Sequence, residues 1–381
     1  MIYFDNSATT TPKLEVRDYV NNSVMEIYGN PSSLHRLGIE SEKTINEAKR
    51  EIAALIKSDY KEIHFTSGGT ESNNLAIIGI ANRNKNKGNH LITTAFEHSS
   101  VLNAFKYLET QGFDVTYIMP GKSGVIDPES INGAIKDNTI LVSVMHVNNE
   151  IGTIQNIEKI GEIIKKHNGI YFHVDAVQSF GKLGIDVSKY NIDLLSISAH
   201  KIHGYKGAGA IYIKKNTLIN PMLYGGQQES GIRPGTENLP GIMSFLKASE
   251  IMKIHKDEYY NHVSKIKKIM IDGLKSIKGV KFNGLDNSSP YILNVSFEGL
   301  KGEVLLHTFE QKGLYVSTGS ACNSKKKIHS HVLEAIELDE KFLDGAVRFS
   351  FSSLNTEEEA VEAVKIVDES IKFLNRIMKR G

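Results

Sequence analysis

Three short segments carry residue types that could do chemistry together. In Ser196-Ile197-Ser198-Ala199-His200-Lys201-Ile202-His203-Gly204, a lysine follows an apolar run and precedes a helix-breaking glycine. A lysine whose surroundings lower its pKa can attack an aldehyde. In His173-Val174-Asp175-Ala176-Val177-Gln178, Asp175 ends an apolar run. A carboxylate there is costly unless it meets a cation or caps the next helix. In Thr66-Ser67-Gly68-Gly69-Thr70-Glu71-Ser72-Asn73-Asn74, paired glycines and hydroxyls open a helical pattern. Backbone N–H groups at such a helix start suit a phosphate, or simply make a tight turn. Each segment alone has a plain explanation: a solvated lysine, an N-cap aspartate, a capped turn. Together they meet the three needs of pyridoxal phosphate: a lysine for its aldehyde, an acid for its pyridinium nitrogen and a cradle for its phosphate.

Two more residues stand out. Arg348 is one of eight arginines among 45 basic residues and lies between Val347 and Phe349 in an apolar strand pattern. A half-buried guanidinium needs an anion, and its planar fork suits a carboxylate; an internal salt bridge is the alternative. Cys322 is the single cysteine, in Ser317-Thr318-Gly319-Ser320-Ala321-Cys322-Asn323-Ser324. Its small, polar neighbours predict an exposed loop, and Lys325-Lys326-Lys327 just beyond favour the thiolate.

The elements that must position these residues alternate between strand and helix. Glu62 to Phe65, His90 to Thr94, Asp114 to Met119, Thr139 to Met145, Ile170 to Val174, Asp193 to Ser198 and Ala210 to Ile213 read as strands. Between them, Leu75 to Ala81, Ser99 to Thr110 and Ile157 to His167 read as helices, and Asp127-Pro128-Glu129 opens another. Such alternation predicts an α/β fold with a mostly parallel sheet between helices, and ligands outside the carboxyl ends of its strands. From about residue 255 a charged helix, Lys256 to Ile277, leads into strands at Tyr291 to Phe297 and Val347 to Phe351. A last helix starts at a Thr356/Glu359 capping box and buries Ala360, Val364, Val367, Ile371 and Leu374 on one stripe. This part reads as a smaller α+β domain.

Composition removes several classes of function. With 381 residues, two domains are expected. A net charge of +1 argues against direct nucleic-acid binding or a membrane surface. One cysteine excludes an internal disulfide and a multi-cysteine zinc site. No signal-peptide pattern and no span-length apolar run are visible, so a cytoplasmic location is expected. Gly121-Lys122-Ser123 lacks the P-loop's first glycine, because position 116 is Thr116. Gly207-Ala208-Gly209 leads into a strand and lacks the third glycine of a dinucleotide fingerprint. Neither a nucleophile elbow nor H-E-x-x-H occurs, so hydride transfer, serine hydrolysis and zinc proteolysis lose support.

On these segments, and on Asp5-Asn6-Ser7-Ala8-Thr9-Thr10 and Arg348-Phe349-Ser350, the sequence resembles the cysteine desulfurases of the NifS/IscS type. These belong to the class V aminotransferase group of pyridoxal-phosphate enzymes. The resemblance implies the pyridoxal-phosphate-dependent transferase fold, with a large domain of 16–254 and a small domain of 1–15 plus 255–381. It implies Lys201 as the cofactor lysine, Asp175 at the pyridine nitrogen, Gln178 at the phenolate oxygen and His98 stacked on the ring. His98 without the family would be a strand-end histidine bonded to backbone. Gly69, Thr70, Ser198 and His200 match phosphate ligands, and Asn149 a residue near the substrate carboxylate. Thr236 matches a position that reaches the partner subunit's phosphate, which implies a homodimer. Arg348 matches the binder of the substrate α-carboxylate, and Cys322 the thiol that takes sulfur as a persulfide.

The implied activity is conversion of L-cysteine to L-alanine, with sulfur passed to an acceptor protein for iron–sulfur assembly or thiolation. A selenocysteine lyase, another class V lyase or aminotransferase, or an inactive sulfur-trafficking scaffold are the alternatives. The lysine run either solvates its loop or guides an acidic acceptor. No resident metal is implied, and Cys322 is at most a transient contact for a cluster. His329 stands where the subgroup often has proline.

Overall fold

The computed structural model describes residues 1–318 and 329–378. Cys322 and Lys325 to Lys327 lie outside the described residues.

The strands that the sequence pattern picks out form one seven-stranded sheet. In spatial order they are Ile63–Thr66, Gly209–Ile213, Leu194–Ser198, Tyr171–Asp175, Thr139–Met145, His90–Thr94 and Asp114–Ile118. All neighbours pair in parallel except Gly209–Ile213, which runs against both of its partners. Every residue of Thr139–Met145 and of Leu194–Ser198 is buried, as expected for strands covered on both faces. Alternate residues serve different cores. Ile92, Val142, Phe172 and Leu195 face one layer, with Ile45, Ile52, Met243 and Phe245 from the helices Arg36–Ile56 and Leu239–Leu274. Leu91, Leu141, Leu194 and Ile211 face the other, with Leu75, Ile80 and Phe105 from the helices Gly69–Asn84 and Ser99–Thr110.

A second core surrounds a three-stranded antiparallel sheet of Ala346–Ser350, Ile292–Phe297 and Val280–Asn283. Ile2 and Phe4 at the start of the chain belong to it. The capping box is present, with Thr356 N–H donating to Glu359 at 3.2 Å and Glu359 N–H to Thr356 at 3.1 Å. The expected helix from Lys256 is in fact the second half of one 36-residue helix, Leu239–Leu274. Its first half buries Ile242, Met243, Phe245 and Met252 in the large core. Its second half buries Val263, Ile266, Met270 and Leu274 in the small one. The charged exposed face of the middle masks this continuity in sequence.

Sheet order turns at His90–Thr94: the chain leaves it outward to Asp114–Ile118 and returns on its other side at Thr139–Met145. The crevice at such a turning point lies between the loops that follow the two strands. Those loops carry Glu97-His98 and His146 to Gly152. Among the described residues, no helix is long and apolar enough to cross a membrane.

Candidate active site

The carboxyl ends of five strands of the large sheet deliver most of the site. Lys201 closes the short 3-10 turn Ala199–Lys201, directly after Leu194–Ser198. It is buried, and its Nζ donates to the backbone carbonyls of Ser7 and Ala8. Burial, then the charges of Lys182 and Arg348, bring its pKa down to about 7. That shift favours the unprotonated amine near neutrality, the form that attacks carbonyls and accepts protons.

Asp175 ends its strand and is 5% exposed. Both readings of this residue hold at once. One carboxylate oxygen accepts from Val177 N–H at 3.0 Å, as a capping aspartate does. The other accepts from Asn73 Nδ2 at 2.7 Å. Asn73 also donates to Ser100 Oγ at 2.9 Å, and Ser100 Oγ lies 2.8 Å from His98 Nδ1. A hydrogen-bond chain thus links Asp175 to His98. Asn73, Ser7 and Ser100 carry no role in the sequence reading; Asn73 and Ser7 sit inside the quoted motifs, but nothing in spacing marks which side chain turns inward.

His98 is the N-cap of Ser99–Thr110, with Nδ1 accepting from Ser100 N–H at 3.2 Å. That is the backbone bond expected of a strand-end histidine. Desolvation lowers its pKa, partly countered by Asp175. The preceding Glu97 is fully buried and pushed up to about 8 by desolvation.

The phosphate candidates lie at one end of the crevice. Gly69 begins the helix Gly69–Asn84, and no side chain caps that helix start. A Cβ on Gly69 would stand 2.6 Å from the Val177 side chain, and one on Gly209 2.5 Å from Gly68 Cα. Gly209, from the failed dinucleotide motif, is therefore required by the close approach of the Gly68 backbone, while Gly69 leaves room for the Val177 side chain. Thr70 is exposed on the first turn. His200 Nδ1 lies 3.1 Å from Thr9 Oγ1, and burial lowers its pKa to about 4. Gln178 Nε2 donates to Ser7 O at 3.0 Å.

Arg348, on Ala346–Ser350, is 5% exposed. It forms the internal salt bridge that was the alternative reading, with Nη2 2.8 Å from Asp5 Oδ1. Its Nη1 donates to Asn149 O at 3.0 Å. Thr236 is exposed and makes no hydrogen bond to the other candidates among the described residues. The residues flanking the cysteine segment are tied to the site. Ser317 exchanges backbone hydrogen bonds with Arg348, Ser330 donates to Glu150, and His331 Nε2 donates to Glu97 O at 2.9 Å.

These residues fit pyridoxal phosphate. Ser198 Oγ, Asn149 Oδ1, Gln178 Oε1 and Arg348 Nε are buried with no partner among the described residues. Buried polar atoms are normally satisfied, so a cluster left open on one crevice marks where a polar ligand binds. A helix start without a cap, an open hydroxyl, a bonded carboxylate and a buried amine are the donor set this cofactor needs. No group of three or more metal-ligating side chains lies together among the described residues.

Comparison with known proteins points the same way. The aminotransferase class-V family matches residues 2–364. Cysteine desulfurase IscS of Methanosarcina thermophila is 45% identical, covering 99% of this chain and 93% of its own. A putative cysteine desulfurase IscS 1 of Bacillus subtilis is 43% identical over 98% of this chain and 99% of its own. The solved structure of a NifS-like protein superposes with a TM-score of 0.92 at 38% identity, covering 98% of this chain and 99% of that one. SspA in complex with cysteine gives a TM-score of 0.82 at 37% identity, over 92% and 99%. Family match, near-complete coverage and a crevice built for the cofactor agree: the chain belongs to the class-V aminotransferase family, among its pyridoxal-phosphate-dependent cysteine desulfurases of the NifS/IscS type.

Proposed function

We propose that this enzyme converts L-cysteine to L-alanine and moves the sulfur to Cys322. The observation that carries the proposal is the buried Lys201 amine, held by the Ser7 and Ala8 carbonyls, together with the buried, unpartnered polar atoms of Ser198, Asn149, Gln178 and Arg348. Lys201 would hold the cofactor aldehyde, and Asp175 its ring nitrogen. Ser198, His200 and the N–H groups of Gly69 and Thr70 would hold the phosphate, with His98 and Gln178 on the ring and its oxygen. Pyridoxal phosphate, when bound, supplies a ring that withdraws electrons from the substrate's α-carbon.

The chain's own residues do the rest. The Arg348 fork, with its Nε unpartnered, and Asn149 orient the substrate carboxylate, which shares or displaces Asp5. Lys201 takes the α-proton. The Cys322 thiolate bonds to the substrate sulfur as the carbon–sulfur bond breaks with its electron pair left on carbon. A proton on that carbon, and the α-proton returned by Lys201, complete alanine, and Cys322 keeps the sulfur as a persulfide. The anchoring of Ser317, Ser330 and His331 at the crevice supports this role. The complex of SspA with cysteine supports cysteine as substrate.

The same reading makes the enzyme a homodimer, with Thr236 serving the partner subunit's phosphate site, and gives it an acceptor protein for the sulfur. It also treats 16–254 as the cofactor domain and 1–15 with 255–381 as the smaller one, which the two separate cores support.

The test is alanine formed from L-cysteine by cofactor-loaded protein with a reductant. Alanine and sulfide should appear in equal amounts. Cys322→Ser should keep its cofactor and bind cysteine but release no alanine; ordinary turnover by that variant would remove Cys322 from the reaction.

A further inference from the structure

Four lysines are buried in the described chain: Lys13, Lys182, Lys201 and Lys267. Three donate hydrogen bonds: Lys13 to Tyr259 Oη at 2.8 Å, Lys267 to Ser288 Oγ at 2.7 Å, and Lys201 to the Ser7 and Ala8 carbonyls. Lys182 is 6% exposed, and its side chain makes no hydrogen bond or ion pair to any described residue. Its Nζ stands 5.1 Å from the centroid of the Tyr291 ring, which offsets only part of the cost of burying a charge. An apolar side chain of the same length would fill this place with less loss of stability.

Lys182 follows Gln178 by four residues, in the turn beyond Tyr171–Asp175. Lys182 and Lys201 line the same cavity, of about 10 Å³, with Thr10, His203, Tyr291 and Ser353. That is room for about one water. The Tyr291 hydroxyl and Ser353 Oγ have no partner among the described residues.

The charges that face the pair are largely committed elsewhere. Around Lys201 lie Arg348, Asp5 and Asp175, with His98 beyond. Asp5 is paired with Arg348, and Asp175 is bonded by Asn73 and Val177. Around Lys182 lie His200, His203 and Tyr291, with Tyr259 on the cavity wall. Burial lowers the pKa of both histidines to about 4, so they add no charge near neutrality. The tyrosines are neutral there as well.

We propose that Lys182 is a positioning residue for the reaction: its buried, unpaired charge, across the shared cavity, keeps the Lys201 amine free of its proton at neutral pH. Placing one ammonium near another makes the second proton harder to hold. Desolvation lowers both amines, and Arg348 adds its repulsion at Lys201 and not at Lys182, so Lys201 is the one of the pair that gives up its proton first. The proposal rests on Lys201 being the reactive amine.

The test uses the apo full-length chain, mixed with pyridoxal phosphate at a series of pH values and trapped with borohydride. Peptide mass spectrometry then identifies and counts the labelled lysine. The wild-type trapping rate should be half-maximal at about pH 7. In Lys182→Met the midpoint should rise by about one pH unit, so trapping at neutral pH falls by about five- to sixfold. Lys182→Gln should follow it, and Lys182→Arg should restore the wild-type midpoint. Below pH of about 8, Lys182→Met should also melt at a higher temperature than wild type, because a buried unpaired charge is gone. An unmoved midpoint in both neutral variants overturns the proposal, and a lower melting temperature with it would assign Lys182 to structure. A label on another lysine instead overturns the reading of Lys201, whatever the midpoints do.

Discussion

His98 has a defined proton position. Ser100 Oγ already accepts from Asn73, so its hydrogen is free to point at His98 Nδ1, as Ser100 N–H also does. Two donors aimed at Nδ1 require it to be unprotonated, which leaves the proton on Nε2. Lowered by desolvation, the ring stays neutral, able to stack on a cofactor without adding charge. The same network holds Asp175 through Asn73. Removing that side chain leaves a buried carboxylate oxygen with one partner fewer. Asn73→Ala should therefore cost about 1.5–3 kcal/mol, the range for a hydrogen bond to a charged group. Urea unfolding measures this, and the variant should also release pyridoxal phosphate more readily in dialysis. A wild-type unfolding midpoint would mean that Asn73 does not hold Asp175. Arg348 shows a second economy of charge: Asp5 keeps the fork paired, so the guanidinium is not a lone buried cation.

At the scale of elements, the glycines at the phosphate end set the tightest constraint. Gly209 pairs with Thr66 in the sheet, and the strand it opens passes against Gly68. Gly209→Ala would drive its methyl to 2.5 Å from backbone that cannot rotate away. The helix start must shift, at a cost of about 1–3 kcal/mol. Calorimetry should show a lowered melting temperature, and cofactor titration a weaker affinity; unchanged affinity would detach the helix start from the phosphate role. Much of this layer is legible in sequence. Ser99–Thr110 and His90–Thr94 match the expected limits, because β-branched runs and a clear helix start mark them. Lys201, Asp175 and Gly69 were legible as a set because each ends or follows a strand of one sheet. Other features are not legible for physical reasons. Arg36–Ile56 has a buried stripe but no role that draws notice. Lys182 looks like any solvated lysine until the turn folds it inward. The Arg348–Asp5 pair spans nearly the whole chain, so no local pattern announces it.

For the whole molecule, the helix Leu239–Leu274 is the coupling element. It buries apolar residues in both cores, with an exposed stretch between them. The two cores should therefore unfold in one calorimetric transition. Asp257→Pro, on the exposed middle, removes a helical hydrogen bond and costs about 3 kcal/mol or more. Its larger effect should be to split the transition into two. A single transition, merely shifted to lower temperature, would show that the cores are coupled through other contacts.

The segment Asp5 to Thr10 lies across both cores. It gives Asp5 to Arg348 and the Ser7 and Ala8 carbonyls to Lys201, binds His200 through Thr9 and Thr10, and donates Ser7 N–H to Ser350 at 2.8 Å. During synthesis these residues are translated some 340 positions before their last partners. At ribosomal rates that is a wait on the order of half a minute. The partners of Ser7 to Thr10 at positions 178, 200 and 201 emerge midway, but Asp5 waits for the whole of it. The large sheet can assemble from residues already made, but the crevice closes only when Arg348 and Ser350 emerge. A stalled or truncated product would thus leave the tunnel with Asp5 lacking its guanidinium partner and Ser7 N–H lacking its hydroxyl.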